Sequence, residues 1–228
     1  MSTHGLRTRQ AGYWHTAAAG IGAALLGCLA GYPAAYAQSG ASEPALPSEA
    51  ESGDELRARE RPAPADAAGF VARGRESLAA GAADAALADF NEALRRDPAN
   101  LEALKARADL HLASRRWTEA VADYSALVAR EPDAAHRYRD RGWAYHAAGD
   151  YQAAINDFDE MLHIDGADSD AYNARGAVYE ALAGTRNSPE RERLFNQALR
   201  DYNAAIIRRP RDATLLANRA ALQIKLRN

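Results

Sequence analysis

At 228 residues, with a formal net charge of −3 and a single cysteine, the chain has room for one well-buried domain plus appendages. The charge is too small and too evenly interspersed for a nucleic-acid or anionic-membrane binder, and one thiol cannot close an intramolecular disulfide. The apolar fraction of 47% is carried by Ala and Leu while Val, Ile and Phe are scarce, which favours helices over sheets.

In chain order, His4, Arg7 and Arg9 make a short positive segment, and Ala17–Ala30 is small and apolar throughout. Pro33 breaks any helix, and Ala35-Tyr36-Ala37 offers an A-x-A cleavage pattern before Gln38. These features predict a secretory signal peptide over residues 1–37, cleaved after Ala37, and an exported protein of a bacterial-type periplasm. Leu25-Leu26-Gly27-Cys28 also resembles the lipobox of bacterial lipoproteins, departing from it at Leu26. That alternative lipidates Cys28 and leaves the protein anchored at a membrane. Residues 38–66 change to Ser, Pro, Glu, Ala and Gly with no aromatic residue. Such a stretch buries too little apolar surface to offset its ordering entropy, so a disordered linker is expected there. Beyond the leader no window holds the ~20 apolar residues of a membrane span.

From residue 67 the chain repeats itself. Tyr138–Leu162 reads as two short amphipathic helices joined at Gly149-Asp150, and the pattern returns on both sides at 34 residues. Arg73, Arg107, Arg141 and Arg175 keep that step, as do Asp89, Asp123 and Asp157. Phe90, Tyr124 and Phe158 follow it, and so do Ala86, Ala120 and Ala154. Small residues stand at Gly74, Ala108, Gly142 and Gly176, where two helices must approach closely. Gly81, Arg115 and Gly149 mark the turns between paired helices. The period and these tracks closely resemble the tetratricopeptide repeat, over residues 67–228. The expected fold is an all-α solenoid of four helical hairpins (about 67–100, 101–134, 135–168 and 169–212) with a capping helix at 213–228.

Two departures stand out. The first repeat has Ala83 where the others have Trp117, Tyr151 and Phe195, leaving its interior under-filled. The step from Arg175 to Arg219 is 44 rather than 34, with the insertion around Gly184–Glu192. Asn187-Ser188-Pro189-Glu190 there looks like a helix start, with Ser188 as N-cap and a lengthened second helix from about Pro189 to Arg208. Each repeat also pairs an Arg on its first helix with an Asp on its second: Arg73/Asp89, Arg107/Asp123, Arg141/Asp157 and Arg175/Asp201. That regularity reads as a structural latch fixing helix register, with an anion-binding ladder as the functional alternative.

No enzyme motif is present: no phosphate loop, no G-x-S-x-G, no H-E-x-x-H and no Cys/His cluster. His136 and His146 are ~15 Å apart along one helix, too far to share a metal, and His136 could pair with Asp140. No catalytic residue, metal or cofactor is expected. What remains is a surface. Resemblance to the family implies that the first helices line a concave groove. Its inward positions would be Arg75, then Glu102, Lys105 and Asp109, then His136, Arg139, Trp143 and His146. Asp170, Asn173, Ala177, Glu180 and Asn218 would complete it. Trp143 is either a groove-side anchor or packing against a neighbouring helix. Arg75, Lys105 and Arg139 could form a cationic strip for an acidic or C-terminal-carboxylate peptide. The reading is therefore a non-catalytic scaffold or assembly adaptor for a protein or peptide. The rivals are a lipoprotein assembling an envelope complex through Cys28 and, more distantly, an enzyme or small-molecule receptor. The chain could also self-associate.

Overall fold

The computed structural model describes residues 64–227. The expected signal peptide, Cys28 and most of the linker lie outside the described residues. Among those described, every regular element is a helix: α1 Ala67–Ala79, α2 Ala83–Arg96, α3 Leu101–Ala113, α4 Trp117–Arg130, α5 Ala135–Ala148, α6 Tyr151–Ile164, α7 Ser169–Ala183, α8 Ser188–Arg208 and α9 Ala213–Arg227.

Side-chain caps start five of these helices, Asp212 serving α9 through the Thr214 and Leu215 N–H groups. Asp66, Asn100, Asp150 and Asp168 accept backbone N–H groups of the first turns of α1, α3, α6 and α7, satisfying donors that a helix start leaves open. The turns inside the first three hairpins each place one residue in the left-handed region. Gly81 (φ 80°) and Gly149 (φ 81°) adopt it without a Cβ penalty, whereas Arg115 (φ 58°) adopts it as the one non-glycine among the described residues.

The helices divide into two compact units, α1–α4 up to Pro132 and α5–α9 from Asp133. In the first, α1 packs on α2 and α3 on α4, with α3 also against α1 and α2. Its core includes Ala86, Phe90 and Leu110, flanked by Leu78, Ala83 and Leu87. In the second, α5 pairs with α6 and α7 with α8, α7 rests on α6, and α9 rests on α8. Its apolar interior runs from Trp143, Ile155, Phe158 and Met161 to Val178, then from Ala183, Leu194 and Phe195 to Tyr202 and Leu222.

Each hairpin closes on a small residue facing an aromatic ring. A Cβ on Gly74 would lie 2.6 Å from Cε1 of Phe90, a ring with no exposed surface that has nowhere to retreat. A Cβ on Gly142 would lie 3.0 Å from the Phe158 ring and one on Gly176 3.0 Å from the Tyr202 ring, a milder crowding.

The inserted segment lengthens a helix, but its cap is one residue earlier than expected. Asn187 is the N-cap and makes no side-chain cap bond, while Ser188 is already helical. Trp117 and Tyr151 begin α4 and α6, whereas their counterpart Phe195 lies within α8 behind the added residues from Ser188 to Leu194.

Candidate binding surface

The arginine and aspartate tracks meet in all four hairpins. Arg107 holds Asp123 through Nε at 2.8 Å and Nη2 at 2.7 Å. Arg141 holds Asp157 at 2.8 and 2.6 Å, and Arg175 holds Asp201 at 2.8 and 2.7 Å. Arg73 reaches both oxygens of Asp89, the shortest contact being 2.5 Å. All four aspartates are buried. The bidentate carboxylates hold the Arg73, Arg141 and Arg175 guanidiniums above their usual range, firmly charged. Each arginine is thus engaged by its own acid, the arrangement of a latch between paired helices.

The sequence does not anticipate the third arm of these arginines. Arg107 Nη1 donates to Asn91 Oδ1 at 2.8 Å, Arg175 Nη1 to Asp159 Oδ1 at 2.6 Å, and Arg219 Nη1 to Asn203 Oδ1 at 3.2 Å. The acceptor stands two residues after the latch aspartate of the preceding hairpin, so Arg107 and Arg175 each tie register within their own hairpin and stacking onto the previous one, while Arg219 makes only the stacking link. A second arginine track closes three of the four repeats on their own entry loops. Arg96 donates to the Ala65 carbonyl at 2.5 Å, Arg130 to that of Pro98 at 2.9 Å, and Arg208 to that of Gly166 at 2.9 Å. The available signal was an arginine at one register position in three of four repeats, with Ile164 in the other.

The expected cationic strip is neutralised. Arg75 lies 3.3 Å from Glu102, Lys105 lies 2.7 Å from Asp109, and Arg139 lies 3.2 Å from the buried Asp140. Asp170 is paired with Arg209. Asn173 accepts from Asn218 at 3.0 Å. Glu180 accepts the Tyr202 hydroxyl at 2.9 Å and Lys225 Nζ at 2.6 Å. His136 is exposed, and Ala177 is buried. The structure thus brings the candidates into local pairs of both signs.

Of the two alternatives for Trp143, the structure has the packed one. It is 6% exposed, its ring edge-on to Phe158 at 5.4 Å and to His146 at 5.5 Å. The preceding repeat differs. The counterpart of Trp143 there is Asp109, which accepts the hydroxyl of Tyr124 at 2.5 Å. In the third repeat the second-helix ring is Phe158, which has no hydroxyl for an acid to accept, and an apolar ring stands there; in the first, Phe90 likewise has none and the position holds exposed Arg75. In the fourth, Tyr202 regains a hydroxyl and finds its acceptor in Glu180 instead.

Two histidines are also interior groups. His111 Nδ1 and His146 Nε2 are buried and have no hydrogen-bond partner among the described residues. Burial pushes both imidazoles below the ordinary histidine value. The unfolded chain takes up protons near pH ~6.5 that the folded chain refuses, so stability is complete above that value and is lost as pH falls below it. Urea midpoints measured at about pH 7.5 and about pH 5.5 are expected to be lower at the acid value, with His146→Phe narrowing the difference. An unchanged difference in that variant would show that His146 titrates normally in the fold.

Among the described residues no three His, Cys, Asp or Glu side chains are placed to hold a metal, and no helix is long and apolar enough to cross a membrane.

Two tetratricopeptide repeat profiles match the chain, over residues 71–135 and 104–178. Among solved structures, a tetratricopeptide repeat protein from Parabacteroides merdae superposes with a TM-score of 0.61 at 24% identity, over 75% of this chain and 64% of that one. The MamA protein superposes with a TM-score of 0.59 at 20% identity, over 71% of this chain and 84% of that one. YrrB, a repeat protein with an unusual peptide-binding site, gives 0.53 at 15% identity, over 72% and 79% of the two chains. These likenesses establish the fold. No curated protein matches the chain significantly.

Proposed function

With tetratricopeptide repeats over residues 71–178, we propose that this chain is a non-catalytic scaffold that binds a protein or peptide segment along its first helices. The fold commonly mediates such binding, and YrrB supplies an instance of a peptide site on it. The observation that carries the reading is the set of ionisable side chains that the latched hairpins hold at the surface. Arg75 and Glu102 are both largely exposed, Arg139 is partly so, and His136 is exposed. Because the cations are paired with acids, the expected ligand is a segment of mixed charge rather than a purely acidic one. The N-terminal pattern supports an exported protein, cleaved after Ala37.

A peptide array probed with the full chain is expected to yield mixed-charge binders that Arg75→Glu or Arg139→Glu weakens about tenfold at unchanged helicity. No binders, or binders indifferent to both changes, would overturn the reading. Intact-mass spectrometry on material from the native host is expected to show a chain beginning at Gln38. A lipid-modified mass beginning at Cys28 would instead make it an anchored assembly factor.

A further inference from the structure

Helix α9 stands in the register of a first helix. Leu216, Arg219, Ala220 and Ile224 continue the positions of Tyr172, Arg175, Gly176 and Glu180 on α7, and of Phe70, Arg73, Gly74 and Leu78 on α1. In the four hairpins a second helix covers this face in one way. Its aromatic ring lies over the small residue: Phe90 at Gly74, Phe158 at Gly142 and Tyr202 at Gly176, with Tyr124 buried at the corresponding place. The residue just before the ring is the aspartate that takes the arginine at two points.

On α9 the opposite face is the one that is used. Leu215 and Leu222 are buried, Leu222 in the cluster with Phe195 and Tyr202. The covered face of the other first helices is open here. Leu216 is 36% exposed, Ile224 is 61% exposed, and Ala220 is exposed where Gly74, Ala108, Gly142 and Gly176 are buried. Arg219 keeps its bond to Asn203, but among the described residues no carboxylate pairs with it. A helix that merely closes a repeat array turns a polar face outward. This one presents leucine, alanine and isoleucine around an arginine.

We propose that this face docks an amphipathic, acidic helix of a partner protein bearing the pattern A-x-x-D-[F/Y]. Its ring seats on Ala220 and its aspartate takes Arg219. The pattern is that of the chain's own second helices: Ala86 to Asp89-Phe90, Ala120 to Asp123-Tyr124, Ala154 to Asp157-Phe158, and Ala198 to Asp201-Tyr202. Charge selects a partner over a second α9, since the α9 sequence carries three basic residues and no acid, and pairing it with itself opposes like charges. The chain's own matching helices have this face buried inside their hairpins. The inference is independent of the first-helix reading above.

The test uses the full chain and, as probe, a labelled peptide of residues 150–164 followed by fluorescence anisotropy. Saturable binding is expected, weakened at least about tenfold by Arg219→Glu and by Ile224→Asp in the chain, and likewise when the peptide carries Asp157→Asn or Phe158→Ala. Both chain positions lie outside the buried cluster, and circular dichroism confirms that the variants fold. Three results would overturn the proposal. One is no binding. Another is binding indifferent to both chain variants, meaning that the peptide invades its own hairpin. The last is a concentration-dependent dimer in sedimentation that Ile224→Asp abolishes, which would make a second copy the occupant.

Discussion

Replacing Trp143 with alanine is expected to destabilise the fold by about 3 kcal/mol and lower the melting temperature by about 10 °C. The indole is 6% exposed and lies among Ile155, Phe158, Met161 and Val178, so truncation removes a large apolar group from water-free surroundings and leaves a cavity. Neighbouring backbone is held by the Arg141–Asp157 latch at 2.6 Å, which limits collapse into that space. The edge-on contacts to Phe158 and His146 vanish with it. Trp143→Phe keeps most of the volume and should lose about 1 kcal/mol. The measurement is thermal and urea unfolding of both variants beside the parent chain. A melting temperature within a degree or two of the parent would put the indole back on the surface as a binding anchor.

This residue marks how far the sequence could be read. The repeat period, the small-on-aromatic contacts at Gly74 and Gly176, and the pairing of each arginine with its aspartate follow from spacing, because a hairpin repeated at 34 residues repeats its contacts. The burial of Trp143 does not follow from spacing, since its register position holds an exposed arginine, an acid, a tryptophan and an alanine in successive repeats. In the second and third repeats the occupant goes with the ring facing it, whose hydroxyl Asp109 accepts in Tyr124 and which has none in Phe158. That is a relation between two tracks and is invisible in either alone. The loss of the cationic strip has a similar origin. Arg75 and Glu102 are 27 residues apart, and Arg139 is beside Asp140. Neither separation is a repeat step, so only folded geometry shows that the charges cancel.

The second large effect is expected at Arg175. Its guanidinium serves Asp201 at 2.7 and 2.8 Å and Asp159 at 2.6 Å, and burial separates the fates of those two acids. Asp159 is half exposed and water replaces the arginine there, whereas Asp201 is buried. Arg175→Ala therefore strands a carboxylate in the interior and should cost about 3 kcal/mol. The double change Arg175→Met with Asp201→Leu removes the stranded charge as well, and should return to within about 1 kcal/mol of the parent chain. Arg209→Ala serves as the contrast. It breaks a pair with exposed Asp170, where solvent screens the charges, and should change stability by about 0.5 kcal/mol or less. Urea unfolding of the three variants separates the explanations. If the double variant is as unstable as Arg175→Ala, the arginine acts through its link to the preceding hairpin at Asp159 rather than through the latch. Restoration in the double variant assigns the cost to the buried charge, and the regular Arg–Asp tracks then read as a device for register more than for net stability.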